Sequence, residues 1–468
     1  MTRNSVTGDR ISVAQVSTAD VSGGAERVAS DLHREYLRLR VEATLIVGFK
    51  FSDLPETLLL PNDALRTPWA RAWNRLAPPI LPKPAVLNRR SRMLRRACKV
   101  IGEPRRALRI ACGYDDFDFP ATRSIPDMPP HLPHVVHLHN LHGGYFDLRA
   151  LPELCSRLPV VATAHDMWLA TGHCAHAVDC ERWRAECGNC PHLDYPPAAR
   201  GDKTRENRIA KKALFERPET RLFLTAPSRW ALTTLEESIL APAIIGTRVI
   251  ANGVDQSVFR PGDQGAARRA LAIPGDAQVV AFTVADAGSP YKDFATVKQA
   301  LSGMARARSE QHGPEVPLVF LSIGAEQPER WSLPGVEVRG IPFTQDASTV
   351  ARCLQASDVY LHAAHAEVLG LGILEAQSCG VPVIVTRTGG APEALVDEET
   401  GFVVRERDPE AMAAAAARLL SDGPLRQRMA GAAAAYAADH FGLERMARGY
   451  LDLYGEAIEA LHPSATHP

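Results

Sequence analysis

No apolar run in the 468-residue chain approaches the roughly 20 residues that a bilayer-spanning helix needs. The first ten residues, Met1 to Arg10, hold no apolar core of the kind a secretory leader requires, and apolar patterning begins at Ile11. Net charge is missing too. The 53 Lys and Arg against 54 Asp and Glu leave −1, so no global field draws the chain to nucleic acid. Cysteines number only nine, and a cytoplasmic location with reduced thiols is expected. At 46% hydrophobic and 23% charged, the composition is that of an ordinary globular protein. The length allows two domains.

Strand and helix patterns alternate, which argues for parallel sheets. Strands are expected at Ile11–Val16, Thr44–Val47, Val135–His139, Val160–Ala164 and Leu222–Ala226 in the first half. In the second half they are expected at Val249–Ala251, Val279–Val284, Leu318–Ile323, Val336–Val338, Val359–His362 and Val381–Val385. Helices are expected at Ala25–Arg38, Asp346–Ala356 and Pro409–Ser421, with near-continuous helix from Gly423 to Leu461. The reading is α/β: two Rossmann-like domains, with ligand at the carboxyl ends of the strands. Residues 50–130, rich in Pro and Arg, fit the alternation poorly and read as an elaboration of the first domain.

The richest stretch runs from Glu367 to Gly380, followed by the buried-strand pattern Val381-Pro-Val-Ile-Val385 and the pair Gly389-Gly390. Gly370 and Gly372 let backbone N–H groups approach a ligand. An apolar helix opens there with its positive end available to a diphosphate. Glu375 falls about one turn into that helix, and Gly380 ends it as a C′ residue does. An isolated pair of glutamates eight positions apart is also compatible with an ordinary αβ unit. The wider set is more specific: Glu367-x-x-Gly-x-Gly-x-x-Glu375, Gly389-Gly390-x-Pro392-Glu393, then Gly401-Phe-Val-Val404. This set resembles the donor-binding half of glycosyltransferase family 4, whose members are retaining and have the GT-B fold.

The resemblance extends over most of the chain. It implies a first, acceptor-side domain at 1–245, joined by a returning C-terminal helix at about 443–468, and a donor-binding domain at 246–442, facing each other across a cleft. Gly23-Gly24, after the first strand, resembles the family loop that faces the donor phosphates; a plain tight turn is the other reading. His165, in Thr163-Ala-His165-Asp166, matches the histidine that contacts the transferred sugar, and Asp166 could orient its ring; a structural histidine is the other reading. Asn252-Gly253-Val254-Asp255 matches the hinge at the start of the second domain. Ser228 suits either the turn before the crossover or a helix N-cap. Lys292 matches the family lysine on the donor diphosphate. The family's Arg has no counterpart in Val284-Ala-Asp286-Ala-Gly-Ser, so the usual pair of cations is incomplete.

By the same resemblance Glu375 holds ribose hydroxyls, Glu367 contacts the donor sugar, and the N–H groups of Leu369, Gly370 and Leu371 fix its hydroxyls. The implied reaction moves a sugar from a nucleotide-diphosphate donor, UDP- or GDP-linked, to an acceptor hydroxyl on a saccharide or lipid-linked polysaccharide intermediate. The leaving phosphate itself takes the acceptor proton, and no catalytic cofactor or divalent metal is required. An epimerase or hydrolase of the same fold, a non-catalytic nucleotide-sugar binder and a nucleic-acid binder are the competing readings. Near-neutral charge and the complete Glu367–Glu375 motif argue against the last.

Two local features stand apart. Cys174, Cys180, Cys187 and Cys190, among several histidines, have a spacing that suits a structural zinc, with free thiols as the alternative. The run Asn88 to Lys99, with Arg105, Arg106 and Arg109 beyond it, is strongly basic and suits either the inner membrane surface or plain solvent. Asp115-Asp116-Phe-Asp118 reads as surface.

Overall fold

The computed structural model describes residues 11–21, 23–81, 88–284, 289–312, 317–324 and 333–461. The chain divides into two compact units: residues up to Ile250 with those from Ala447 onward, and Ala251–Met446.

The first unit is built on seven strands: β1 (Ser12–Ala19), β2 (Glu42–Phe49), β3 (Thr57–Leu59), β4 (Val135–Leu138), β5 (Val160–Thr163), β6 (Leu222–Ala226) and β7 (Ile244–Val249). They lie in the order β3-β2-β1-β4-β5-β6-β7, every pair parallel. The second unit has β8 (Gln278–Thr283), β9 (Leu318–Gly324), β10 (Glu337–Pro342), β11 (Val359–His362), β12 (Val383–Thr386) and β13 (Gly401–Val404). Their order is β10-β9-β8-β11-β12-β13, again parallel throughout. In each sheet the order reverses beside its first strand, at β1/β4 and β8/β11. That reversal is where a doubly wound sheet leaves a crevice for ligand.

Central strands such as β4, β5, β11 and β12 are buried along their whole length. Helices cover both faces, so these strands read as continuous apolar runs. In the second sheet Val279 and Ala281 pack into the core on one face, while Val280 and Phe282 pack into the core on the other. That is the two-residue period of a strand.

The structure shifts three expectations. The strand expected at Val249–Ala251 lies earlier, at Ile244–Val249, on a half-exposed edge. Its apolar signal is weak because Gly246 lies under the Phe223 ring, which a Cβ there would meet at 2.7 Å. β3 and β13 are short strands beyond those expected from the sequence. The C-terminal helical stretch breaks at Phe441–Gly442 into Gly423–His440 and Leu443–Leu461. There Val254 donates to the carbonyl of Phe441 at 2.8 Å.

The last helix carries two buried tyrosines into the first sheet. Tyr454 bonds to Nδ1 of His137 at 2.7 Å and accepts from the Tyr36 hydroxyl at 2.9 Å. Tyr450 lies 2.9 Å from the Thr163 hydroxyl. A buried polar network of this kind fixes one seating of the helix, because a shift would strand several hydroxyls without partners.

Candidate functional site

In the second unit the end of β11 is followed by a loop, Ala363–Gly370, and then by the helix Leu371–Ser378. Gly370 sits at φ +91°, a conformation open to glycine, and turns the chain into the helix. The next glycine has a different role. A Cβ on Gly372 would lie 2.3 Å from the Tyr360 hydroxyl and 2.4 Å from that of Thr283. Only glycine lets the first helical turn rest on the ends of β8 and β11. Gly380, at φ +74°, closes the helix. Val381 N–H bonds to Ala376 O at 2.9 Å and Gly380 N–H to Gln377 O at 2.8 Å. That is the Schellman pair.

A second loop is strapped to this one. Lys292 forms an antiparallel bridge with Ala364, Asp293 N–H donates to Ala363 O at 3.1 Å, and His365 N–H donates to Tyr291 O at 2.8 Å. The strapping brings Lys292 to Glu367, with Nζ 2.7 Å from Oε2. His362, at the end of β11, points Nε2 at the same oxygen from 3.1 Å. Since a carboxylate accepts, that nitrogen carries the proton. His362 Nδ1 is then a bare acceptor, buried without a partner among the described residues. Burial alone would raise the Glu367 carboxyl, but Lys292 and His362 overcome it and hold the group well below the usual range. Burial and Lys292 hold His362 below its ordinary value. Gly390 N–H donates to Glu367 O at 2.9 Å, tying the second glycine pair to the same residue. Glu375 is buried within the helix, 4% exposed. Leu369 is buried, and Leu371 is the first helical residue. In the loop before Lys292, where the second cation of the pair is expected, residues 285–288 lie outside the described residues.

In the first unit, Gly23 precedes the helix Gly24–Arg38, and its N–H donates to Glu26 Oε2 at 3.0 Å. Four histidines crowd the ends of β4 and β5. His165 Nε2 lies 3.0 Å from His139 Nδ1, with the rings stacked at 5.3 Å. His139 reaches Gln15 Oε1 at 3.3 Å. His137 lies between Thr163 and Tyr454. Burial drives His165 down to about 4 and holds His137 and His139 well below their ordinary value, so all three are neutral at pH 7. Asp166 does not orient the His165 ring. Its Oδ2 accepts from His142 Nε2 at 2.7 Å and its Oδ1 from Trp168 N–H at 2.8 Å. For His142, burial is outweighed by Asp166, which raises the imidazole, while His142 holds Asp166 down at about 2 despite burial.

The candidate residues thus form two sets, Gly23, Gly24 and His165 in one unit and Lys292, Glu367, Leu369, Gly370, Leu371 and Glu375 in the other. Sequence reasoning missed His137, His139, His142 and His362. The alternation His137-Leu-His139 at a strand end was the available signal, since residues two apart share a face.

The zinc expected on Cys174, Cys180, Cys187 and Cys190 is not supported. Among the described residues no group of three or more His, Cys, Asp or Glu side chains is placed to hold a metal ion, and all four thiols are free. This segment is organised by hydrogen bonds instead. The buried Lys211 ammonium donates to the carbonyls of Trp168 at 2.9 Å and Thr171 at 3.1 Å and pairs with Asp115 at 3.2 Å. His173 faces the Cys190 sulfur at 3.5 Å. Asp115 is therefore no simple surface carboxylate, and Asp116 is held by Arg106 at 2.7 Å. Ser228 is an N-cap, accepting from Ala231 N–H at 3.3 Å.

Residues 334–436, within the second unit, match the family model described as Glycosyl transferases group 1. The D-inositol 3-phosphate glycosyltransferase of Saccharomonospora viridis is 34% identical over 227 residues, 47% of this chain and 52% of that protein. The protein of the same name from Stackebrandtia nassauensis is 35% identical over 220 residues, 44% of this chain and 48% of that protein. The match thus spans about half the length of these relatives. Among solved structures, sucrose-phosphate synthase from Thermosynechococcus elongatus superposes with a TM-score of 0.61 at 17% identity, covering 96% of this chain and 100% of that one. Anabaena HepE in complex with UDP and glucose gives 0.58 at 16%, covering 95% and 100%. The chain has the GT-B fold of these neighbours. Among the described residues no helix is long and apolar enough to cross a membrane.

Proposed function

We propose that the chain is a retaining glycosyltransferase that moves a sugar from a nucleotide-diphosphate donor to an acceptor hydroxyl. The observation that carries this reading is the Lys292–Glu367–His362 cluster. It lies where the second sheet reverses strand order, beside the start of the helix Leu371–Ser378. A diphosphate there would meet the ammonium of Lys292 and the positive end of that helix. Both would stabilise charge as the nucleotide departs. The donor would compete with Glu367 for Lys292, and the released carboxylate would accept hydrogen bonds from the sugar. Glu375 would hold the ribose. His165, neutral at pH 7, would act as a hydrogen-bonding partner of the sugar rather than as a cation. Retention follows if the leaving phosphate takes the acceptor proton on the face it vacates. The acceptor we favour is a lipid-linked saccharide.

The test follows donor consumption and product anomeric configuration by NMR, with UDP- and GDP-sugars and a panel of acceptors. Transfer with retention supports the reading. Glu375→Ala should remove most donor binding, and Glu367→Ala should mainly lower turnover. Donor conversion without any acceptor would indicate an epimerase or hydrolase. Wild-type rates in both variants would overturn the site.

A further inference from the structure

The segment from Leu65 to Cys112 is unlike the rest of the molecule in two respects. It holds thirteen Lys and Arg but a single carboxylate, Glu103, and so carries +12 in a chain of net −1. Among the described residues, eleven of the sixteen exposed large hydrophobic side chains also lie between Leu65 and Ile110. The described part forms three short helices: Pro68–Leu76, Arg89–Gly102 and Pro104–Ala111. The first two pack on each other, and the Trp69 indole N–H donates to Ile101 O at 2.9 Å.

The middle helix is divided lengthwise. Cys98 and Gly102 are buried on its inner side. At about 100° per residue, the exposed Met93, Leu94, Val100 and Ile101 fall within an arc of roughly 120° on the outer side. Arg89, Arg92 and Arg96 border that arc, exposed and with no carboxylate partner among the described residues. In the last helix Leu108, 66% exposed, stands among Arg105 and Arg109, and no residue is buried. Trp69 stands 59% exposed beside them, with its N–H already satisfied.

We infer that this three-helix patch docks on the surface of an anionic lipid bilayer, lying in the interface without crossing it. Charge complementarity selects this occupant. A bare nucleic acid would be met by cations but not by an apolar stripe. A second copy of the chain would set this basic face against its own like. An interfacial helix places a stripe of Leu, Met and Trp at the acyl boundary, with Arg beside it among the headgroups. The inference does not depend on what the second unit binds.

The test uses the full chain and sedimentation with vesicles of phosphatidylcholine alone or with a third phosphatidylglycerol. Binding is expected on the anionic vesicles only, weakened by salt. The triple variant Arg89→Glu, Arg92→Glu, Arg96→Glu should bind at least about 100-fold more weakly, since each cation near such a surface contributes roughly five-fold. Met93→Gln with Ile101→Gln should also weaken binding, with salt dependence retained. All these side chains are exposed, so unchanged thermal unfolding should show that the variants fold. Equal affinity for neutral and anionic vesicles would overturn the inference. So would no binding to either vesicle by the folded chain; salt-dependent capture of an oligonucleotide, or a wild-type dimer that Ile101→Gln dissociates, would then identify the occupant instead.

Discussion

Replacing Lys292 by Met should expose how strongly the candidate donor site is held by one charge. Lys292 Nζ is 2.7 Å from Glu367 Oε2, and the two side chains are only 22% and 17% exposed. At that distance the gross attraction is about 6 kcal/mol for an effective dielectric near 20. Desolvation of both ions cancels part of it. What the variant measures is the cost of stranding a buried carboxylate, roughly 3–5 kcal/mol. His362 and the Val368 N–H would still donate to Glu367, which places the expected loss at the lower end of that range. For a unit of roughly 200 residues this is about 6–12 °C in Tm. The pH dependence has a definite sign. Glu367 is depressed in the folded chain, so its stabilisation is complete above the unfolded carboxyl value and is lost as pH falls toward the folded one. The deficit of Lys292→Met should therefore shrink below about pH 4, where the carboxyl left unpaired in the variant takes up a proton and is no longer a stranded charge. The assay is thermal and urea unfolding of Lys292→Met, Glu367→Gln and the double variant. The double should be less destabilised than the two singles together by at least ~1.5 kcal/mol. Additive effects, or a Lys292→Met within about 0.5 kcal/mol of wild type at pH 7, would refute the reasoning.

Two glycines should behave oppositely. A Cβ on Gly389 would lie 2.1 Å from Glu367 O at φ +55°, so Gly389→Ala should cost at least ~3 kcal/mol by urea unfolding. A Cβ on Gly431, inside the helix Gly423–His440, meets nothing within 4 Å, so Gly431→Ala should raise stability by about 0.5–1 kcal/mol. His165 is lowered from 6.5 to about 4 in the folded chain, so its contribution is complete above pH 6.5 and falls by roughly 3 kcal/mol as pH drops to 4. His165→Gln should flatten that part of a stability-versus-pH curve; an unchanged slope would mean that the imidazole charges freely in place.

The α/β class and most central strands were legible because buried parallel strands spell continuous apolar runs, as in Val359–His362 and Leu222–Ala226. The edge strand Ile244–Val249 was displaced in the reading because an edge is half wet and carries no such run. Glu367, Gly370, Glu375 and Gly380 were legible through their spacing about one short helix. His362 was not, because a histidine closing a buried strand looks like any other, and its meeting with Glu367 depends on the bridge from Lys292 to Ala364. The partner of Asp166 was not legible, because adjacency in sequence points to His165, whereas the fold presents His142, 24 residues earlier, to the carboxylate. The cysteine spacing suggested a metal knuckle, but spacing alone does not converge thiols, and hydrogen bonds with a buried ammonium organise that segment.

Calorimetric titration of the purified chain with UDP, GDP and ADP tests the central claim most directly. One diphosphate should bind with micromolar affinity, and Glu375→Ala should weaken it at least about 10-fold, the loss expected for a hydrogen bond to a charged group. Failure of all three to bind a folded sample, or binding unaffected by Glu375→Ala, would contradict a nucleotide-sugar site in the second unit.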